Sequence, residues 1–276
     1  MEFIWYENHL GKRLCLSEKP YKLLDIDDLY TISREYTESN GRITGFKQKI
    51  ITKTLELDVL STKDRNWKDS AEELRELLES DIDEPGKLYI GDYYIVCYIY
   101  LMNPQKVNLR SPYVTCKLTL VSDMPLWIKH HSKVFLSTEV PTAQSSIKRY
   151  PYTYPYRYRS RSGGSFIYNP FAYAAHYQII VYGSVRNPAI TIGNHLYQVN
   201  TDVGENERLV IDYSNTRNRT ITRYLMNGEE INEFNNRNKQ NSVFELIKPG
   251  KQAVNWSGEF SFDIILIEER SQPKWI

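Results

Sequence analysis

Short apolar runs separated by turn-forming residues are the feature that most limits how this chain folds. In the clearest run, Val, Cys, Leu and Leu at positions 114, 116, 118 and 120 alternate with Thr, Lys and Thr at 115, 117 and 119. Successive side chains of an extended chain point to opposite faces, so this alternation predicts a strand with one buried face. Further short runs follow residue 177 at spacings of roughly 8 to 15 residues, which favours an antiparallel sandwich or jelly roll.

Turn-forming dipeptides join several of these runs into predicted hairpins. Gly91-Asp92 connects the run 87–90 to the run 93–100, and the second run is apolar on both faces, as is typical of a central strand. Asn227-Gly228 is the strongest two-residue hairpin signal that we identify. Turns of this kind predict antiparallel neighbours.

One helix interrupts the strands. Apolar residues recur at helical spacing between positions 71 and 78, with charged residues on the opposite face. Ser70 and Glu73 have the spacing of a capping box, which predicts that Ser70 is the N-cap and that the helix begins at Ala71. The sequence therefore predicts a mainly β fold with one accessory helix near residues 70–80.

The length and the charge distribution predict two domains. A chain of 276 residues suits two ordinary domains. Residues 1–85 contain 19 of the 34 Asp and Glu residues, whereas residues 140–201 contain none. We place the N-terminal β domain, with the helix, at 1–133 and the C-terminal antiparallel β-sandwich at 134–276.

The acid-free stretch contains a segment rich in Tyr, Pro and Arg at 148–165. Prolines at 151 and 155 exclude a helix and a central strand, so an extended segment with its tyrosines on one face is expected. Tyrosine combines an apolar ring with a polar tip and suits interfaces. The candidate interface residues are Tyr150, Tyr152, Tyr154, Tyr156, Arg157, Tyr158, Arg159 and Arg161.

The sequence contains only weak candidates for a catalytic or metal site. His130-His131 is the only histidine pair, but adjacent side chains of an extended chain point apart, which is poor geometry for a metal. Glu229-Glu230 and Glu268-Glu269 have the composition of a glycosidase carboxylate pair, although such doublets are usually solvated. We therefore expect no catalytic residue, no metal site, no cofactor and no enzymatic activity.

Charge and cysteine content narrow the environment and the partners. A net charge of +1 argues against a dedicated nucleic-acid binder. No apolar run reaches the roughly 18 residues of a membrane span, and the N-terminus does not have the pattern of a signal peptide. Three cysteines without paired spacing, Cys15, Cys97 and Cys116, suit folding in a reducing cytoplasm. No membrane or nucleic-acid partner is expected.

The order of these features resembles the distal tail (Dit) proteins of siphophages, in particular those infecting Gram-positive hosts. The resemblance covers essentially the whole chain. It rests on the helix at 71–78, the strands at 88–100, the Tyr-Pro run at 150–156, Asn187-Pro188-Ala189-Ile190, the strand at 209–212, Pro249-Gly250 and Pro273-Lys274-Trp275. The family often has aspartates in its Tyr-Pro run where this chain has Thr153 and Arg157.

The resemblance implies a structural virion protein at the tail tip or baseplate, made in the cytoplasm of the bacterial host. Its N-terminal domains, resembling a β-sandwich or split barrel, would form a homo-hexameric ring from which galectin-like or jelly-roll C-terminal domains project. The implied partners are the tail tube protein, the tail-tip hub protein, and receptor-binding or side-fibre proteins. A closed ring requires two different, complementary patches on each subunit, and the acidic first third and the basic segment are candidates for them.

Two other functions are compatible with the sequence. A carbohydrate-binding module would stack Trp256 and the tyrosines at 150–158 on host surface glycans. A contact with single-stranded nucleic acid would use the same tyrosines together with the neighbouring arginines. Glycan binding by residues 140–276, or salt-dependent binding of an oligonucleotide, distinguishes these functions from the structural one.

Overall fold

The computed structural model describes residues 3–32, 34–47, 49–137, 165–215 and 219–275. Over these residues the chain forms one α-helix, α1 (Trp67–Glu79), two short 3-10 helices (Asp27–Tyr30 and Phe234–Asn236) and 21 strands. The strands are β1 (Ile4–Glu7), β2 (Arg13–Cys15), β3 (Tyr21–Asp25), β4 (Glu35–Ser39), β5 (Arg42–Lys47), β6 (Ile51–Leu60), β7 (Gly86–Ile90), β8 (Tyr93–Gln105), β9 (Tyr113–Ser122), β10 (Trp127–Phe135), β11 (Ser165–Asn169), β12 (His176–Tyr182), β13 (Val185–Arg186), β14 (Ala189–Ile192), β15 (His195–Gln198), β16 (Asp202–Val203), β17 (Arg208–Tyr213), β18 (Thr220–Tyr224), β19 (Glu230–Asn232), β20 (Gly250–Trp256) and β21 (Phe262–Arg270). The predicted fold class, mainly β with one helix, is confirmed.

The chain divides into two compact units. The first comprises Met1–Lys129 together with Glu269–Ile276, and the second comprises His130–Glu268. The last residues of the chain therefore belong to the first unit. Within it, the ring of Trp275 stacks on that of Tyr30, with centroids 4.6 Å apart.

Antiparallel strands form the first unit, with β8 at their centre. The order β2-β1-β7-β8 continues through β9 and β6 to β3. A bulge between Ile99 and Leu101 interrupts the pairing of β8 with β9, and bulges bend the strand that contains them. The hairpin between β7 and β8 turns at Gly91, which has a φ of 56°. The central position predicted for the run 93–100 is thus confirmed.

The alternating run in β9 buries the face that the sequence predicts. Val114, Cys116, Leu118 and Leu120 are all at most 3% exposed. They join a core that also contains Leu74 and Leu77 of α1. Full burial of each leucine side chain contributes about 1.5–3 kcal/mol, so this face and the helix together stabilise the unit.

The helix begins earlier than the capping box predicts. Asn66 is the N-cap, and its side-chain oxygen accepts from the backbone N–H of Lys68. Ser70 lies inside the first turns and is fully buried, and its hydroxyl has no hydrogen-bond partner among the described residues. The predicted N-cap at Ser70 is therefore wrong. Asn is as good a capping residue as Ser, and burial of Trp67 extends the apolar face by one turn.

The second unit is an antiparallel sandwich. One sheet has the order β19-β18-β17-β12-β21, and the other has the order β11-β20-β14-β15. Apolar residues from both sheets form one core, with Ile179 and Ile264 from the first and Ile192 and Val254 from the second, each at most 4% exposed. The predicted C-terminal sandwich is confirmed, while its likeness to galectins stays a prediction.

Three hairpins show how closely turn chemistry sets the local geometry. Gly193-Asn194 forms the expected two-residue turn, because Ile192 pairs with His195. At Asn227-Gly228 the loop is longer than predicted: Leu225 N–H donates to Glu229 C=O at 2.9 Å, which leaves a three-residue loop with Gly228 at a φ of 86°. Sequence inspection missed Asn40-Gly41, whose residues both have positive φ and join β4 to β5.

Candidate interaction surfaces

The interface predicted from the sequence falls in a part of the chain that the structure does not describe. The residues concerned are Tyr150, Tyr152, Tyr154, Tyr156, Arg157, Tyr158, Arg159 and Arg161. They stay a prediction. The surfaces described below come from other segments, and each lies within one of the two units.

The β4–β5 hairpin carries an uncovered apolar face in the first unit. It forms a two-stranded sheet of its own. Tyr36 and Phe46 are cross-strand partners, and Ile43 pairs with Glu38 two residues further along β4, so the three apolar side chains share one face. Tyr36 and Ile43 are each 60% exposed and Phe46 is 64% exposed. Two-stranded ribbons are marginally stable in water unless they pack on something.

An apolar groove lies between α1 and the exposed end of β8. Its volume is 960 Å³, and it is lined by Ala71, Leu78, Ile82, Tyr100, Leu101 and Met102 among others. Ile82 is 75% exposed and Tyr100 is 61% exposed. Large apolar side chains so accessible to water on neighbouring elements are typical of an interaction site.

Charged residues of α1 border this groove. Arg75 donates to Glu72 and, at 2.5 Å, to Glu79, so its charge is balanced along the helix surface. Lys68 lies against the ring of Trp67, with its ammonium 5.9 Å from the ring centroid, and forms no ion pair with any described residue. The groove therefore has one cation at its border that is open to an acidic partner.

A row of neighbouring aromatic rings lies on the outer face of the first unit's sheet. The rings of Trp5 and Tyr89 are stacked 4.0 Å apart, and Tyr94 follows at 5.3 Å. The Arg13 guanidinium lies 4.2 Å above Trp5, held by an ion pair of 2.5 Å with Glu7. Cross-strand aromatic and cation–π contacts stabilise such faces. Two of the 22 tyrosines in the sequence, Tyr89 and Tyr94, thus stabilise this face of the sheet.

A buried carboxylate lies at the end of α1. Asp81, 3% exposed, accepts from the Tyr6 hydroxyl at 2.5 Å and from the His9 backbone N–H at 2.9 Å. Burial, and then the hydrogen bond to Asp81, raise the pKa of Tyr6, so the phenol stays protonated. A Cβ on Gly86 would lie 2.2 Å from the Tyr6 oxygen, so only glycine fits there. This network fixes the turn after the helix.

A cluster of charges stabilises one edge of the second unit. Arg223 donates to Glu233 at 2.9 Å and to Glu207 at 3.0 Å. The pKa of Glu207 is lowered, first by the backbone N–H of Gly204 and then by Arg223. Burial opposes ionisation of Glu233, but hydrogen bonds from Asn236, Thr201 and Arg223 outweigh it and lower its pKa. Each acceptor is matched by a donor, as in a structural cluster.

The residues named above as weak catalytic candidates either make contacts within the fold or are exposed to solvent. His131 Nε2 lies 2.8 Å from Glu268, and the His131 ring meets Phe171 edge-on. Glu229 is exposed and directly follows the three-residue loop of its hairpin. No group of three or more His, Cys, Asp or Glu side chains suited to a metal occurs in the described parts of the chain. Among the same residues, no helix has the length and apolarity needed to cross a membrane.

Trp256, the tryptophan proposed to stack on sugars, packs on the core of the second unit. Its Nε1–H donates to the Phe260 carbonyl at 3.1 Å, and its ring meets Phe262 edge-on at 5.2 Å. It also contacts Phe135. These contacts give the partly buried ring a packing role.

Two of the three thiols are buried. Burial raises the pKa of Cys97 to about 12 and that of Cys116 to about 11. Cys15 is half-buried, with its sulfur 3.5 Å from the Ser17 hydroxyl. The three cysteines are free, and the two in the core act as small apolar residues.

The fold matches solved components of phage tails over almost the whole chain. A chain of the phage p2 baseplate, in its activated conformation with strontium, has a TM-score of 0.60 at 10% identity, covering 99% of this chain and 100% of that one. A chain of the same baseplate with calcium has a TM-score of 0.60 at 10% identity, covering 99% of each chain. SPP1 Dit, described as a paradigm of the hub adsorption apparatus in phages infecting Gram-positive bacteria, has a TM-score of 0.54 at 10% identity, covering 98% of this chain and 99% of that one.

These likenesses define the fold of the chain. No protein-family profile and no curated protein matches the sequence. The chain has the mainly β fold of a phage baseplate component. More narrowly, it has a Dit-like fold, and the resemblance drawn from the sequence is confirmed at the level of fold.

Proposed function

We propose that this protein is a distal tail protein, a structural component of a phage tail tip or baseplate. One observation carries the proposal: its fold corresponds to that of SPP1 Dit and of a p2 baseplate chain over at least 98% of each chain compared. A match of this extent includes both units and their order along the chain. The surfaces described above support a role in assembly, because they are apolar and accessible rather than enclosed around reactive groups.

In this role the first units of six copies form a ring, and the second units project from it. The ring joins the tail tube protein to the tail-tip hub protein and carries receptor-binding or side-fibre proteins. The protein acts in the virion after synthesis in the bacterial cytoplasm, with no cofactor and no catalytic step. Apolar exposure on the β4–β5 hairpin and in the α1–β8 groove supports assembly through the first unit.

Immunogold electron microscopy of tailed particles tests this function. An antibody against the chain is applied to particles released from cells that express the gene cluster. We expect gold at the distal end of the tail and none on the capsid or along the tail shaft. Label confined to the capsid, or its absence from particles while the protein is abundant in the lysate, contradicts the proposed function.

The basic segment supplies a separate, sequence-based part of this proposal. Arg157, Arg159 and Arg161 lie in the acid-free stretch and would contact acidic surfaces of a neighbouring subunit or tail protein. Replacing all three with Glu is expected to reduce incorporation into particles. Replacing them with Lys retains the charge and serves as the control. Full incorporation of the triple Glu variant contradicts the charge contact and leaves the structural role intact.

A further inference from the structure

We propose that the apolar face of the β4–β5 hairpin of one copy docks into the α1–β8 groove of the next copy, and that this head-to-tail contact closes the ring. The inference rests on the proposed function and deepens it, because it assigns the subunit contact to named residues. The occupant of the groove is a second copy of this chain. Four observations on the first unit carry the argument.

The first observation is that both surfaces expose large apolar side chains. The hairpin pairs with no other described strand and leaves Tyr36, Ile43 and Phe46 at least 60% exposed. The groove leaves Ile82 and Tyr100 similarly accessible. Removing apolar area from water on both sides favours association of the two surfaces. A single contact between two copies covers one surface of each copy.

The second observation is a match of length. The helix that forms one wall of the groove has 13 residues and is therefore about 20 Å long. Strand β5 has six residues and extends about 20 Å. A hairpin lying along the helix axis would thus contact the groove over its full length.

The third observation is a match of charge. Glu38 lies on the apolar face of the hairpin and forms no ion pair with any described residue. Lys68, at the border of the groove, has no acidic partner among the described residues either. Docking brings one anion to one cation, while Arg75 is already balanced by Glu72 and Glu79. This pairing orients the hairpin in the groove.

The fourth observation concerns symmetry. The hairpin and the groove are different patches of the same unit, and no residue of the hairpin lines the groove. A single hairpin–groove contact between two copies leaves one free hairpin and one free groove, so such contacts continue from copy to copy until the rotation closes a ring. Two copies that exchanged both hairpins across a two-fold axis would instead form a closed dimer, and the mass of the wild-type assembly separates the two arrangements.

The test uses single substitutions at exposed positions of the full chain. Phe46→Asp places a charge on the hairpin, and Leu101→Asp places one in the groove. Leu10→Asp is the matched control, since Leu10 is an exposed apolar residue of the same unit, 74% exposed, outside both surfaces. By mass photometry we expect rings from the wild type and from Leu10→Asp, and a self-association about tenfold weaker or more in the other two variants.

Mixing the two defective variants gives the sharpest result. Phe46→Asp retains an intact groove and Leu101→Asp retains an intact hairpin, so an equimolar mixture has one functional contact for each pair of chains. We expect dimers and nothing larger. Rings formed by Phe46→Asp alone would overturn the proposed contact. A monomeric wild type, by contrast, contradicts the ring itself.

A cross-link covers the case in which an aspartate variant fails to fold. In a Cys15→Ser chain, Phe46→Cys and Leu101→Cys are introduced together, and mild oxidation follows assembly. We expect a ladder of disulfide-linked oligomers on a non-reducing gel, and none when only one of the two cysteines is present. Rings that yield no cross-link overturn the proposal.

Discussion

Arg223 balances two carboxylates in the second unit, and its removal leaves a charge without a partner. Glu233 has a side chain only 4% exposed and accepts from Arg223 at 2.9 Å. Removing one partner of a buried ion pair leaves the other charge buried without a partner. We predict that Arg223→Met destabilises the protein by about 3 kcal/mol, measured by urea unfolding. Arg208→Met, an exposed arginine of the neighbouring strand, is the control, and equal loss in both variants contradicts the role of the cluster.

The same cluster predicts a dependence of stability on pH. The pKa values of Glu207 and Glu233 are lowered in the folded protein, so their stabilising effect is complete above the unfolded value of about 4.3 and is lost as the pH falls through the folded values. We therefore expect stability to decrease on acidification below about pH 5. In thermal melts, the Tm of Glu233→Gln should fall less steeply with decreasing pH than that of the wild type. The exposed Glu229→Gln should behave as the wild type does; a wild-type slope in Glu233→Gln contradicts this assignment.

Thiol accessibility provides a third prediction at this scale. Burial raises the pKa of Cys97 to about 12 and that of Cys116 to about 11, so neither forms a thiolate at neutral pH. We expect a thiol reagent at pH 8 to label Cys15 alone in the native protein and all three cysteines in denaturant. Peptide mass spectrometry identifies the labelled sites. Rapid native labelling of Cys97 or Cys116 would show that the core is open.

At the scale of elements, strand patterns predict the core better than they predict the ends of the helix. The alternation in β9 identifies its buried face because a half-buried strand has a period of two. The start of α1 is different, since Asn66 and Ser70 are both good capping residues and local sequence does not choose between them. Trp67 is buried in the core, and this tertiary packing places the start of the helix at Asn66.

The two rival caps lead to opposite mutational results. We predict that Asn66→Ala costs about 1 kcal/mol, because the Lys68 N–H loses its acceptor. Ser70→Ala should cost little or stabilise the protein, since its buried hydroxyl has no hydrogen-bond partner in the described chain. Chemical denaturation of both variants measures the difference. A larger loss of stability for Ser70→Ala than for Asn66→Ala would instead support Ser70 as the N-cap.

The β4–β5 hairpin shows where sequence patterns stop being informative. Asn40-Gly41 is as strong a turn signal as Asn227-Gly228, and both residues adopt positive φ. However, the strands it joins bury neither face, so no alternation marks them. The apolar residues at 36, 43 and 46 are visible in the sequence, but only their exposure in the structure identifies them as a candidate contact.

At the scale of the whole molecule, composition indicated two parts but not how the chain is divided between them. The acidic first third and the acid-free stretch are properties of segments, whereas the return of Glu269–Ile276 to the first unit is a long-range event. Stacking of Trp275 on Tyr30 is part of it. No local rule links residues that are so far apart in sequence, and the sequence pattern places all of 134–276 in the C-terminal domain.

Native mass and symmetry of the purified full-length protein test the central claim most directly. Mass photometry at micromolar concentration, combined with class averages from negative-stain electron microscopy, gives both quantities for the same sample. We predict particles of six times the monomer mass, or two such rings back to back, with six-fold symmetry. A species that stays monomeric as its concentration is raised, or a two-fold dimer without larger forms, contradicts it.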